Sequence, residues 1–310
     1  MEPIPDAATI AAVIRELANG WDSATLGRRR RFEPGTALEL DHSDYADRPS
    51  LAEHLATKPA DLAVLTCASV IQVARSGAAL YAVSDQWALT MGHLSILRSV
   101  LEGAGQVAWL LVGDAPLTAL LPTEPEAREA RVKRGAVLWG DCLRQSLRDQ
   151  RRTGDEGLVD RATEQLKDWE RVVRKGFPTL LISKDRWVID DIRVPSFTEA
   201  ADLGLTLACL PKEQDFSLYP WLSAASHHRL YPLLERLQSG TVEDQPALRV
   251  SPDPLETSGA GYLLAWAVYR TFEATFAYHG WSTEPLSDAL VRAVPAEQLQ
   301  PPGEPSSYPL

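Results

Sequence analysis

Methionine, lysine and cysteine are scarce in this 310-residue chain, which has two Met, six Lys and three Cys. The cysteines, Cys67, Cys142 and Cys209, are far apart, odd in number and outside any Cys-x-x-Cys spacing. No disulfide framework and no zinc site is therefore expected, and buried reduced thiols are the natural reading. A P-loop, a Rossmann fingerprint and a Gly-x-Ser-x-Gly elbow are missing, which removes the commonest nucleotide-binding and hydrolase signatures. A ferritin-like di-iron centre needs Glu-x-x-His on two helices, and the chain does not offer that pair. Positive charge is also short: 31 Lys+Arg face 42 Asp+Glu, a net charge of -11. Duplex DNA and anionic membranes call for a basic face, so neither is expected as the main partner.

No leader is expected, because Met1–Asp6 carries two acids and no basic run. The uncharged apolar runs Gly103–Gly113 and Ser258–Tyr269 fall well short of the ~20 residues that a spanning helix needs. These absences lead to the expectation of a cytoplasmic protein.

What is present is helical periodicity. Asp6–Asn19 places Ile10, Val13, Ile14 and Leu17 on one face, with Gly20 as a stop signal. Ser23–Pro49, with the basic run Arg28–Arg31 and the acidic DHSDYAD, reads as a loop or arm. Helices are expected over Pro59–Ala82, Ser84–Val112, Glu126–Arg152 and Asp155–Lys175, the last two as an antiparallel hairpin. Gly176–Pro195 is expected to be an irregular, partly extended loop. Ser196–Leu210 opens with capping-box spacing at Ser196 and Glu199. Asp215–Gln238, stopped by Ser239-Gly240, and Pro254–Gly280 complete the set, and a Pro-rich, disordered tail is expected over 301–310. The predicted fold is all-α: a single multi-helix bundle of about seven to nine helices, in one domain over residues 1–300.

Three helices carry polar residues on stripes that ought to be core. Arg98, Glu102 and Gln106 recur every four residues, drifting about 40° per step. Apolar residues surround them (Ile96, Leu97, Val100, Leu101, Val107, Leu110), so Arg98 and Glu102 are expected to be buried charges, costly unless paired. Tyr219, Ser223 and His227 form a second stripe. Tyr262, Trp266, Tyr269, Glu273 and Phe276 form a third. Together they supply a general base (His227), carboxyl groups for acid–base work (Glu102, Glu273) and an anion clamp (Arg98). Tyr219, Ser223, Tyr269 and the indoles of Trp109, Trp221 and Trp266 would line the pocket. The glycines of Gly103–Gly105 read as close helix packing.

The Arg-x-x-x-Glu of LRSVLE, the PSFTEAADLG segment and the Tyr-x-x-Leu-Ser-x-x-x-His of YPWLSAASH resemble a bacterial family of helical proteins whose chemistry is not established. The resemblance covers roughly residues 94–227. It implies a functional role for Arg98, Glu102, Tyr219, Ser223 and His227, without an activity. A weaker similarity is to HEPN-type ribonucleases, which set an Arg and a His about a turn apart. His227 has no such Arg before it, and Arg48…His54 is interrupted by Pro49.

Two readings follow. One is a small-molecule or anion-binding pocket with His/Glu acid–base chemistry. The other is a non-catalytic helical scaffold or homodimer in which the same residues form a structural polar network. Terpene-cyclase-like and nuclease-like helical enzymes are further alternatives. No metal ligand set and no cofactor is indicated. Mg²⁺ enters only under the cyclase-like alternative, where Asp190-Asp191 is the nearest acidic pair.

Overall fold

The computed structural model describes residues 6–25, 34–83, 92–113, 121–183, 186–208, 222–223, 237–242, 245–250 and 254–293. The fold is all-α. Its helices are α1 (Ala7–Thr25), α2 (Ala37–Ser43), α3 (Pro49–Leu51), α4 (Lys58–Ala82), α5 (Gly92–Leu111), α6 (Pro125–Thr153), α7 (Glu156–Gly176), α8 (Phe197–Leu207), α9 (Pro254–His279) and α10 (Glu284–Ala293), with a π-helical turn at Ala52–Ala56 between α3 and α4.

The main core gathers α1, α4, α5, α8, α9 and α10. Helix α5 lies at its centre and packs against α8, α4 and α9. The expected close packing of its glycines is found. A Cβ on Gly105 would stand 1.5 Å from the Ala200 carbonyl oxygen of α8, and one on Gly204 would stand 2.1 Å from the Leu101 carbonyl oxygen of α5. The two backbones touch there, and only glycine permits the crossing.

A second core lies beneath α6 and α7, built from Leu55, Val132, Val137, Trp169, Val173, Trp187 and Ile189. Helices α6 and α7 form the expected hairpin. Gly154 closes the first helix in the left-handed conformation, and the Asp155 side chain caps the second by accepting from Leu158 N. Across the pair, Trp169 Nε1 donates to the Ala136 carbonyl at 3.1 Å.

Several expectations change. Gly20 does not stop α1, which runs on to Thr25. A Cβ on Gly20 would lie 2.9 Å from the Pro285 carbonyl oxygen, so the glycine admits the start of α10, while the Trp21 and Phe272 rings pack at a tilt with centroids 4.7 Å apart. The supposed arm 23–49 contains α2, capped by Thr36, whose hydroxyl accepts from Glu39 N at 3.1 Å. The irregular loop 176–195 holds a small antiparallel sheet, β1 (Leu181–Ile182), β2 (Trp187–Ile189) and β3 (Ile192–Arg193), in the order β1-β2-β3. Its β2–β3 turn places Asp190 and Asp191 at φ 46° and 68°. That geometry fits a two-residue hairpin, whose twist matches the strands. Gln238, Ser239 and Gly240 belong to β4 (Leu237–Val242), paired antiparallel with β5 (Gln245–Val250), and do not end a helix. Residues 84–91 and 209–210, and the tail 301–310, lie outside the described residues.

Among the described residues, one run is long and apolar enough to cross a membrane by composition: Pro49–Ala82, with a best-window mean hydropathy of 1.4. It contains the uncharged stretch Leu62–Ala74, longer than the apolar runs singled out in the sequence. Since 44% of the window is buried, and α4 packs against α1, α5, α6 and α9, the composition is that of a core helix.

Candidate functional site

On α5 the buried arc includes Leu94, Leu97, Val100, Leu101, Ala104 and Val107. Ser95, Arg98, Ser99, Glu102 and Gln106 remain as a half-buried to exposed stripe. Arg98 Nε donates to Glu102 Oε1 at 2.7 Å, and the two side chains are 15% and 21% exposed. The expectation of fully buried charges is therefore corrected. Ser95 and Ser99 widen the polar stripe, so α5 is not apolar all round, and both heads reach toward solvent while their stems pack. Trp109 lies three turns further on and is buried in the main core.

Helix α9 repeats the pattern. Its inner face carries Leu264, Val268, Phe272 and Phe276, all fully buried. Tyr262, Trp266, Tyr269, Arg270 and Glu273 form the outer, half-exposed stripe. The three rings make an edge-to-face ladder, with centroids 6.1 Å apart for Tyr262–Trp266 and 5.6 Å for Trp266–Tyr269. Tyr269 Oη donates to Glu273 Oε1 at 3.4 Å, and Arg270 pairs with the other oxygen of Glu273. Burial, and then the Glu273 charge, push the Tyr269 hydroxyl above its ordinary value. The whole stripe is expected to face the core; Phe276 does, against Trp21, whereas Tyr262, Trp266, Tyr269 and Glu273 face outward because Leu264, Val268 and Phe272 fill the inner face.

Of the second stripe, Ser223 is half-buried, next to Leu222, which is fully buried in the main core. Tyr219, Trp221 and His227 lie outside the described residues. Arg98 is thus brought to Glu102, and Tyr269 to Glu273, each pair along its own helix.

For metals, no group of three or more His, Cys, Asp or Glu side chains suited to an ion occurs among the described residues. A Glu-x-x-His does occur once, at Glu39–His42 on α2, where the Glu39 carboxylate accepts from Ser43 Oγ at 2.6 Å. Asp190 is paired with Lys133 at 2.7 Å, which holds its carboxyl below the ordinary value.

The strongest polar constellation is one that spacing did not reveal. Arg131 of α6 and Asp41 of α2 are both fully buried and joined by hydrogen bonds of 2.7 and 3.0 Å from Nη1. Tyr278 Oη donates to Asp41 Oδ2 at 2.7 Å, and the guanidinium lies 5.2 Å from the centre of the Tyr278 ring. Arg131 also donates to the Leu111 carbonyl through Nε at 2.9 Å and to the Pro122 carbonyl through Nη2 at 2.5 Å. Arg134 Nε reaches the Leu110 carbonyl at 3.1 Å. Two arginines of α6 therefore cap the last carbonyls of α5, where a helix end needs donors and favours positive charge. Burial pushes the Asp41 carboxyl up, while Arg131 and Tyr278 oppose the shift. With its partners inside the protein, the cluster is structural. The sequence signals only the α2 part of it, through Thr36-x-x-Glu39, an N-cap spacing inside the supposed loop.

Two shallow, open surface depressions lie away from these stripes. One is at the hairpin tip, around Arg151, Glu156 and Asp160. The other is on α6, around Asp141, Arg144 and Arg148. No protein-family model, curated protein or solved structure matches the chain.

Proposed function

We propose that this chain is a cytoplasmic binding protein for a small molecule with a flat apolar part and an anionic group. Its site would draw on the outer stripes of α5 and α9, with Tyr219, Ser223 and His227 assigned to it by the sequence alone. The observation that carries this reading is the aromatic ladder Tyr262–Trp266–Tyr269, half-exposed and ending on Glu273 and Arg270. Rings left partly open beside charged groups offer a ligand both apolar area and polar handles. In this site Arg98 is the anion contact, oriented by Glu102, and His227 is the base, with Glu102 or Glu273 as its carboxylate partner.

A second reading, a non-catalytic scaffold or homodimer, is favoured by one observation: Arg98 is already ion-paired with Glu102 and Glu273 with Arg270. A thermal-shift screen of carboxylates, phosphates and aromatic metabolites separates the two. A ligand at about 100 times its Kd adds about 2.7 kcal/mol, or several degrees in Tm. The shift should appear in the wild type and vanish in both Trp266→Ala and Arg98→Met. If no compound acts, and Arg98→Met/Glu102→Met unfolds at a clearly lower temperature than the wild type, the scaffold reading stands.

A further inference from the structure

Helix α4 has two faces of different make. The inner one packs against α1, α5 and α9 and holds Leu62, Val70, Ile71 and Ala74 in the main core. Core packing does not account for the outer one. Its seven exposed positions, from Leu65 to Ala82, bear no charge, whereas nine of the eleven exposed positions of α7 are charged. Leu65 is 58% exposed, and Val83, at the helix end, is 39% exposed. Arg75 is the one charged residue between Leu62 and Val83, and it pairs with Asp22 of α1. Open helix faces are where a chain with a net charge of -11 ordinarily carries its charges, so a neutral, partly apolar one about 27 Å long marks a surface that is covered in use.

The order of residues along this face points to what covers it. Leu65, Ser69, Gln72, Ser76, Ala79 and Val83 are all exposed and recur at intervals of four, three, four, three and four, the spacing of a helix-pairing seam. We propose that the outer face of α4 is a homodimer interface, packed antiparallel on α4 of a second copy across a twofold axis at the level of Ala74. Leu65 then meets Val83 of the partner subunit, Ser69 meets Ala79 of the partner subunit, and Gln72 meets Ser76 of the partner subunit, each pair occurring twice. The larger apolar side chains close the two ends, and the small ones let the helices approach at the middle. Ser76 Oγ already donates to the Gln72 carbonyl of its own helix at 3.2 Å, so its oxygen can accept from the amide of Gln72 of the partner subunit and no donor is stranded. Two copies at a net charge of -11 repel one another except where the meeting faces bring no charge, which is the case here. A lipid surface fits poorly, because Ser69, Gln72 and Ser76 hold the middle, where a membrane-bound helix carries large apolar residues beside Lys or Arg. One helix face makes a small interface, so the dimer is weak, with a Kd of about micromolar order. It stands with either reading of the α5 and α9 stripes.

The full chain is followed by sedimentation velocity from about 1 µM to about 500 µM, a range that brackets such a Kd. A concentration-dependent shift from monomer to dimer is expected. Ser69→Glu and Ala79→Lys, both at exposed positions, should each keep the wild-type circular dichroism and thermal midpoint. Each should weaken the dimer at least about tenfold, since it sets an unpaired charge in the seam. Mixing the two variants should restore the dimer, because the antiparallel register brings the two introduced charges together, whereas a parallel one leaves them ten residues apart. The proposal is overturned if the wild type stays monomeric over the whole range, if both variants dimerise as the wild type does, or if the mixture stays monomeric. It is overturned equally if a monomeric chain floats with phosphatidylcholine vesicles, which would make a lipid surface the occupant.

Discussion

Arg131 shows most clearly how this sequence uses charge. A guanidinium and a carboxylate taken wholly out of water lose several kcal/mol each in hydration, which their attraction offsets only when the remaining polar atoms are satisfied. Here Asp41, Leu111 and Pro122 accept from Arg131, and Tyr278 donates to Asp41. The pair ties α2, the end of α5, α6 and the end of α9 into one arrangement. Arg131→Met leaves the Asp41 charge buried and the Leu111 carbonyl bare, so it should cost about 3–5 kcal/mol. Tyr278→Phe removes one donor to a buried charge and should cost about 1–3 kcal/mol. The double variant Asp41→Leu/Arg131→Met should lose less than the sum of its single variants, because neither charge is left alone. Urea unfolding of the set measures this. A double-variant loss equal to the sum of the two single losses would show that the pair does not act as a unit.

At the scale of elements, the junction between β3 and α8 rests on one carboxylate. Ser196 and Glu199 form the reciprocal capping box, with Ser196 N donating to Glu199 Oε2 at 2.7 Å and Glu199 N to Ser196 Oγ at 3.3 Å. Arg193 of β3 grips the same carboxylate from both nitrogens, at 2.9 and 2.5 Å. Arg193 first, then the Ser196 contacts, hold the Glu199 carboxyl well below its ordinary value of 4.5. A carboxyl depressed in the folded state adds stability that is present above its unfolded pKa and lost as pH falls toward the folded one. Wild-type stability should therefore decline as pH drops below about 4.5, the unfolded Glu value. Glu199→Gln should flatten that limb and cost about 1 kcal/mol or less at neutral pH, since the group is exposed and screened. An unchanged acid limb in chemical-denaturation curves at pH 3 to 7 would place the acid sensitivity elsewhere.

The same junction marks what was legible in the sequence. Long amphipathic elements were: α4, α6, α7 and α9 begin and end within a residue or two of their expected bounds, because period, caps and flanking Gly or Pro agree. The box at Ser196 was legible for the same reason. Gly20 misled because the stop signal is local, while its reason lies in Pro285, far along the chain. Helix α2 was hidden by its length of seven residues, too short to show a period. The strands β1 to β3 are too short to alternate. At the candidate site, the spacing placed Arg98 beside Glu102 and Tyr269 near Glu273, since i, i+4 geometry needs only one helix. Which face was buried depended on neighbours, and there the charges came out half-exposed. Asp41–Arg131–Tyr278 joins three distant segments, and no spacing rule reaches across them.

At the scale of the whole molecule, the two cores are unequally built. Helix α5 buries twelve of its 20 residues and is wrapped by α4, α8 and α9. Helix α7 buries only Ala162, Trp169 and Val173 of its 21 residues and rests mainly on α6. Its attachment is concentrated at the C-terminal half, through Trp169 to Ala136 and through Val173 in the second core. The N-terminal half, toward Asp155, has Leu158 only partly covered and holds together mostly by its own ladder. Local opening costs what the opened part has buried, so these halves should differ in hydrogen exchange. Amides of α7 between Glu156 and Gln165 should exchange first, those around Trp169 and Val173 later, and those of α5 only through opening close to global. Trp169→Ala, which removes the main apolar anchor, should bring the second half of α7 to the rate of the first and leave α5 protection in place. Exchange of α7 and α5 at one common rate would mean instead that both cores open together, with Arg131 and Arg134 carrying the coupling from α6 into the end of α5.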